Sequence, residues 1–331
     1  MNAAGRAEGV PNADSVVQEL AVGASVEVTP RQLPAADALV RLLPRGATVY
    51  IPFPPKARRG QTIEGCARLL EAGMQPVAHL PARSLEGARE LAAWLRGLAD
   101  VGVDSLMLVA GDGTPKGPFP DTLGVLDSGL LGEFGFRRLG ITAYPEGHPA
   151  IADDALERAL WYKAEYAAET GTEMWIVTQF VFSPEPALAW LGRLRDVGPR
   201  LPVRVGMPGP AKASTLVAYA ARCGVGVSAK ALSRRPAVAR MLGGWSPNAV
   251  VRGLARERAR DPKTPLAGIH LFTFGGLTAT AEWLRRRRRI GGQEPEGGRY
   301  GELLQFPTAD SPETVSGEQA FSLANEPLRN L

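Results

Sequence analysis

The chain reads as an α/β protein, a closed (β/α)8 TIM barrel in a single domain with a polar C-terminal extension. Three observations predict this. Eight short runs of apolar and β-branched residues recur along the sequence, and segments with apolar residues at three- and four-residue spacing separate most of them. Together these units occupy roughly 250 residues, the usual size of such a barrel. The runs are also apolar throughout rather than alternating, as expected of parallel strands covered on both faces. The architecture that competes for the same rhythm is an open, doubly wound sheet.

In chain order the expected strands are SVEV (25–28), TVYIPF (48–53), PVAHL (76–80), SLMLVAG (105–111), RLGITAY (138–144), MWIVTQF (174–180), PVRVGM (202–207) and GIHLFTF (268–274). Between them, SLEGARELAAWLRGLADVG (84–102) and ALERALWYKAEYAAETG (155–171) show the helical period and close on Gly. A ninth run, GVGVS (224–228), reads either as a short strand or as the loop before a helix. Residues 1–20 are expected to be an N-terminal extension and 21–290 the barrel. Residues 291–331, polar and rich in Gly, Pro and Glu, read as an extended tail that wraps the barrel or a partner subunit of a homo-oligomer.

Composition narrows the classes of function. At 331 residues and 45% apolar content the chain has ample material for a full core. No run has the length of a membrane span, and residues 1–20 lack the basic start and apolar middle of a secretory signal, so a cytoplasmic location without membrane partners is expected. The two cysteines and three histidines show no metal-ligand spacing, and no metal site is expected. The net charge of +4 is local, because Arg285 to Arg289 alone contribute five positive charges. That run reads as a solvated helix end whose cations complement the dipole. Without interleaved aromatic residues it gives no nucleic-acid partner.

In a barrel of this kind the C-terminal lips of the strands carry the chemistry. Standing there are Glu27, His79, Asp112, Tyr144 with His148 in the following loop, Gln179, Phe272 and Phe274. Each has a structural alternative. Glu27 would suit an interior ion pair, Asp112 would cap loop amides, His79 would be a satisfied core histidine, and Gln179 an interior hydrogen-bonder. The Gly-rich GDGTPKG lacks the order of a phosphate-binding P-loop, and no GxGxxG joins a first strand to its helix.

Five pieces, SVEVTP, LVAGDGTP, AYPEGHP (143–149), VTQFVF (177–182) and GIHLFTF, stand in an order that resembles the methylenetetrahydrofolate reductases over roughly residues 22–290. These are flavin-dependent (β/α)8 barrels that reduce methylenetetrahydrofolate to methyltetrahydrofolate. The resemblance implies a folate substrate, FAD as cofactor and NAD(P)H as reductant. It implies that Glu27 is the general acid that protonates N10 of the folate, with a pKa raised by burial, and that Asp112 binds the pterin and tunes the flavin. Gln179, Thr215, Tyr219 and Phe272 would join Asp112 in substrate binding. His79, Gly111, Asp112, Tyr144, His148 and Lys163 would line the cofactor.

The sequence departs from the family pattern at several of these places. Ala110 stands where the family has Arg before Gly-Asp, PFPPKARRG (52–60) replaces a Ser/Thr-Gly loop, and Phe272 and Gly276 stand where a tyrosine and an arginine are common. The contacts to flavin are thinned, so the resemblance is compatible with FAD that is held weakly or absent, with hydride passing directly from NAD(P)H. A non-catalytic folate-binding subunit of a methyl-transfer system is the third reading, and a retained proton donor at Glu27 speaks against it.

Overall fold

The computed structural model describes residues 12–54, 57–222 and 244–289. Eight parallel strands close on themselves: β1 (Ser25–Glu27), β2 (Thr48–Ile51), β3 (Gln75–Pro81), β4 (Ser105–Val109), β5 (Arg138–Ala143), β6 (Glu173–Thr178), β7 (Val203–Pro208) and β8 (Leu266–Phe272). The pairing of β1 with β8, in register Ser25↔His270 and Glu27↔Phe272, excludes the open sheet. Each strand falls within two residues of its predicted limits. Pro52 and Gly111, which do not continue a strand, account for the early ends of β2 and β4.

The helical layer comprises α1 (Ala13–Val22), α2 (Ala36–Leu42), α3 (Arg59–Glu71), α4 (Ala88–Asp100), α5 (Thr122–Asp127), α6 (Leu130–Glu133), α7 (Asp153–Thr170), α8 (Pro184–Val197), α9 (Ala213–Arg222), α10 (Asn248–Arg260) and α11 (Leu277–Arg288). The apolar stripe that predicted α4 is the face it buries, through Leu91, Trp94, Leu95 and Leu98. α7 ends where Gly171 takes the left-handed conformation, φ +66°.

The N-terminal boundary needs correction. Most of α1 lies in what was expected to be an extension. It buries Val16, Val17, Leu20 and Ala21 and packs against α10 and α11, so residues 13–20 belong to the barrel's outer layer. The arginine run ends α11 as expected, but it is anchored as well as solvated. Arg288 donates to the Ala21 carbonyl at 3.0 Å, and Arg287 donates to Asn248 Oδ1 at 2.8 Å. The ninth run, Lys56, Cys223 and the tail from 291 lie outside the described residues.

Alternate residues of the strands fill the barrel. Tyr50, Val77, Met107, Trp175 and Val177 form the apolar layer, with the Trp175 indole donating to the Tyr50 hydroxyl at 2.8 Å. Gly140 on β5 leaves room for them: a Cβ there would lie 2.7 Å from Met107 Sδ and 3.0 Å from Trp175 Nε1. Toward the N-terminal ends of the strands, buried Arg204 donates to the carbonyl of Gly23, just after α1, at 2.7 Å. A small cavity lined by Thr48, Gln75, Ser105 and Arg138 adjoins it.

Candidate active site at the barrel mouth

At the opposite, C-terminal lip, β1 ends on Glu27, whose side chain is 18% exposed. The closed ring brings two imidazoles to one of its oxygens. His79 of β3 places Nε2 3.4 Å from Glu27 Oε2, and His270 of β8 places Nε2 3.8 Å from the same atom. His79 is not aligned for a hydrogen bond at this distance, and 3.8 Å is too long for one. Tyr50 packs edge-on beneath both rings, 4.6 Å from His270 and 6.1 Å from His79 between centroids.

The charge state of this cluster corrects one expectation. Burial does push the Glu27 carboxyl up, but the attraction of His270 and then His79 outweighs it and holds the group below the ordinary carboxylate value. Burial also holds the His79 imidazole below its usual value, against the pull of Glu27. The cluster thus biases the carboxyl toward its charged form and the His79 imidazole toward its neutral form.

Across the ring, the loop after β4 presents Asp112 as an exposed carboxylate. Gly111 before it takes φ +86°, and a Cβ there would sit 3.1 Å from Pro81 Cβ, so the turn that delivers Asp112 requires glycine. Among the described residues the Asp112 carboxylate takes no hydrogen bond from the loop amides, the role its structural alternative assigned to it. Burial raises the nearby Tyr144 phenol, and the charge of Asp112 adds to that rise. Tyr144 stacks edge-on with His148 at 4.8 Å, and His148 Nδ1 accepts from the Ala150 amide at 3.1 Å, which leaves the proton of the neutral ring on Nε2.

The remaining predicted residues divide into two groups. Phe272, Phe274, Phe180 and Tyr219 form one aromatic wall, with Tyr219 stacked flat on Phe274 at 4.0 Å. One Tyr219 face is therefore already taken. Phe272 lies over Gly206, where a Cβ would come within 2.9 Å of its ring. Thr215 is half-buried one turn before Tyr219 on α9. Gln179 stands at the end of β6, but its side-chain oxygen accepts from the Phe180 amide at 3.1 Å, which meets its structural alternative halfway. Lys163 is the outlier. It lies three turns into α7, 7% exposed in the helical layer, with Asp121 as its nearest charge, and burial pushes its ammonium down to about 8.

No known family model matches the chain. Two solved structures to which it is similar are a protein assigned as a phosphonomutase from Burkholderia cenocepacia and dihydropteroate synthase from Thermus thermophilus. The first is 14% identical with TM-score 0.43, and the second 17% identical with TM-score 0.40; each match covers 80% of this chain and 92% of the other.

Three residues of the site were not singled out from sequence. His270 and Ser25 become neighbours of Glu27 only through the β1–β8 pairing, although the alternation of GIHLFTF already puts His270 on the same face as Phe272. Arg83, just past β3, donates to the carbonyls of Pro120 at 2.7 Å and Gly111 at 3.4 Å, and its charge acts on both Tyr144 and His148. It puts a cation at the lip between β3 and β5.

Proposed function

We propose that the chain reduces 5,10-methylenetetrahydrofolate to 5-methyltetrahydrofolate with NAD(P)H, Glu27 delivering the proton to N10. The observation that carries this reading is the half-enclosed Glu27 at the mouth, flanked by imidazoles, with a carboxylate not engaged by its own loop, Asp112, across the same opening. Protonation of N10 opens the five-membered ring to an iminium that hydride can reach, and this needs an acid held out of bulk water. Folate covering the mouth expels water, strengthens the burial effect on Glu27 and moves its pKa toward that task. Asp112 accepts from the paired N–H donors of the aminopyrimidinone, and the aromatic wall supplies a face for the substrate's rings.

The lip between β3 and β5 fits a flavin in part. Tyr144, His148, Gly111 and Arg83 would hold it through ring faces, close backbone approach and one cation. When bound, a flavin supplies the hydride carrier between NAD(P)H and folate. Ala110 in place of the family's arginine favours a second reading, the same reduction with hydride passing directly from NAD(P)H.

The purified protein is assayed for methylenetetrahydrofolate-dependent NAD(P)H oxidation, and its visible spectrum is recorded. Turnover with a flavin chromophore supports the first reading, and turnover by a colourless protein supports the second. No turnover with either coenzyme, with or without added FAD, overturns both.

A further inference from the structure

We infer that His270, held by Ser25, is a positioning residue that governs the charge and orientation of Glu27. The inference rests on the reading of Glu27 as the proton donor, but its physical core is a three-residue array that exists whatever the substrate.

Closure of the barrel builds the array. Register Ser25↔His270 places a hydroxyl beside an imidazole, and Glu27, two residues beyond Ser25, projects to the same side of β1. Ser25 is fully buried and His270 is 1% exposed, so neither has water as an alternative partner. Ser25 Oγ lies 2.9 Å from His270 Nδ1 and 3.5 Å from the Ile269 carbonyl. The hydroxyl has one proton. Given to Nδ1 it makes the first contact; given to the Ile269 carbonyl it leaves Nδ1–H to donate to Oγ. The carboxylate facing Nε2 favours the first. A serine that donates to Nδ1 leaves the ring proton on Nε2, the atom 3.8 Å from Glu27 Oε2. The opposite tautomer would aim a lone pair at a carboxylate. A small rotation of Glu27 therefore turns the long approach into a charge-assisted hydrogen bond.

The other groups that face Glu27 cannot replace this one. His79 of β3 approaches the same oxygen, but its Nε2 is buried without an aligned bond. Tyr50 of β2 contributes a ring edge, and its hydroxyl, pushed up to about 12 by burial, stays protonated and is engaged by Trp175. Arg204 lies in the layer below, turned to Gly23. Of the two imidazoles, His270 is the one that a second side chain fixes from behind among the described residues.

The test is the titration of the Glu27 side-chain carboxyl by carbon-13 NMR, in the full chain and in His270→Gln and Ser25→Ala, with the pH profile of kcat measured alongside. Gln keeps an N–H donor but has no ring nitrogen for Ser25 to hold, so the donor is no longer fixed toward Glu27 and the Glu27 titration should rise by about half to one pH unit in His270→Gln. In Ser25→Ala it should rise in the same direction by less. The basic limb of the kcat profile should move to higher pH with it. An unmoved carboxyl titration in both variants overturns the inference, as does a rate loss that is equal at every pH. If His270→Gln does not fold, the Ser25→Ala titration decides alone. A carboxyl that shifts as expected in a protein without folate turnover keeps the array and discards the reductase reading, so the two failures are distinguishable.

Discussion

The two ends of the barrel interior bury charge in different ways. At the N-terminal end Arg204 is a fixed cation, enclosed, satisfied by the backbone carbonyl of Gly23 and without a carboxylate within ion-pair distance among the described residues. At the mouth Glu27 is partly exposed and faces two groups that can gain or lose a proton. A guanidinium keeps its charge over the whole working range of pH, whereas a carboxyl and an imidazole are groups that can pass a proton to a bound substrate. The same strands therefore hold a permanent charge where the chain must be closed and a convertible one where it is open. The proposed function puts chemistry at the mouth only, so substitutions at the two ends should separate activity from stability.

The largest effect is expected from Glu27→Gln. It should lower kcat by about 10²- to 10⁴-fold, the range associated with a lost general acid, while thermal unfolding changes little. Equal loss of activity and stability would mean that Glu27 is a structural ion-pair member and would erase the contrast between the ends. Next is Gly206→Ala on β7, where a Cβ would lie 2.2 Å from the backbone oxygen of Thr178 and 2.9 Å from Phe272. Because a carbonyl cannot step aside, a loss of about 3 kcal/mol is expected in denaturant unfolding. Gly140→Ala meets the movable Met107 instead and should cost less.

Lys163→Met tests a third buried charge, one in the helical layer away from either end. Its ammonium is pushed from the ordinary 10.5 down to about 8 by burial, so between those values the unfolded chain binds more protons than the native one. Native stability therefore rises with pH across that window. The methionine variant should be more stable by on the order of 2–3 kcal/mol below pH 8, and the gain should fade as pH approaches 10.5. A variant that is less stable at pH 7 would show that the attraction of Asp121 outweighs burial at Lys163.

The barrel was legible because its signal is repeated eight times and each strand is bounded by residues that end strands. The strand ends were legible as positions: Glu27 ends β1, His79 lies near the end of β3, and Asp112, Tyr144 and His148 follow β4 and β5. What one strand could not reveal was its neighbour across the closure. Ser25 and His270 are 245 positions apart, and only the β1–β8 register puts them in contact. The sign of the Glu27 shift was misread for the same reason, since burial alone raises a carboxyl and the opposing imidazoles come from other strands. The first helix was missed because α1 contributes a single short stripe, Val16, Val17, Leu20 and Ala21, whose partners α10 and α11 lie at the other end of the chain.

The smallest expected change is that of Arg204→Met, and it bears most directly on the comparison between the ends. Removing the guanidinium relieves the desolvation that holds its pKa below the ordinary arginine value, but it leaves the Gly23 carbonyl without its donor. An orphaned buried carbonyl costs about 1–3 kcal/mol, partly offset by the lost charge, so a net destabilisation of about 1 kcal/mol is expected. Because the guanidinium does not titrate in the accessible range, the loss should be the same at pH 5 and pH 9, and folate turnover should be unchanged. A pH-dependent loss, or a fall in kcat to match it, would mean that Arg204 acts on Glu27 through Tyr50, whose hydroxyl feels both charges. The base of the barrel would then belong to the active site.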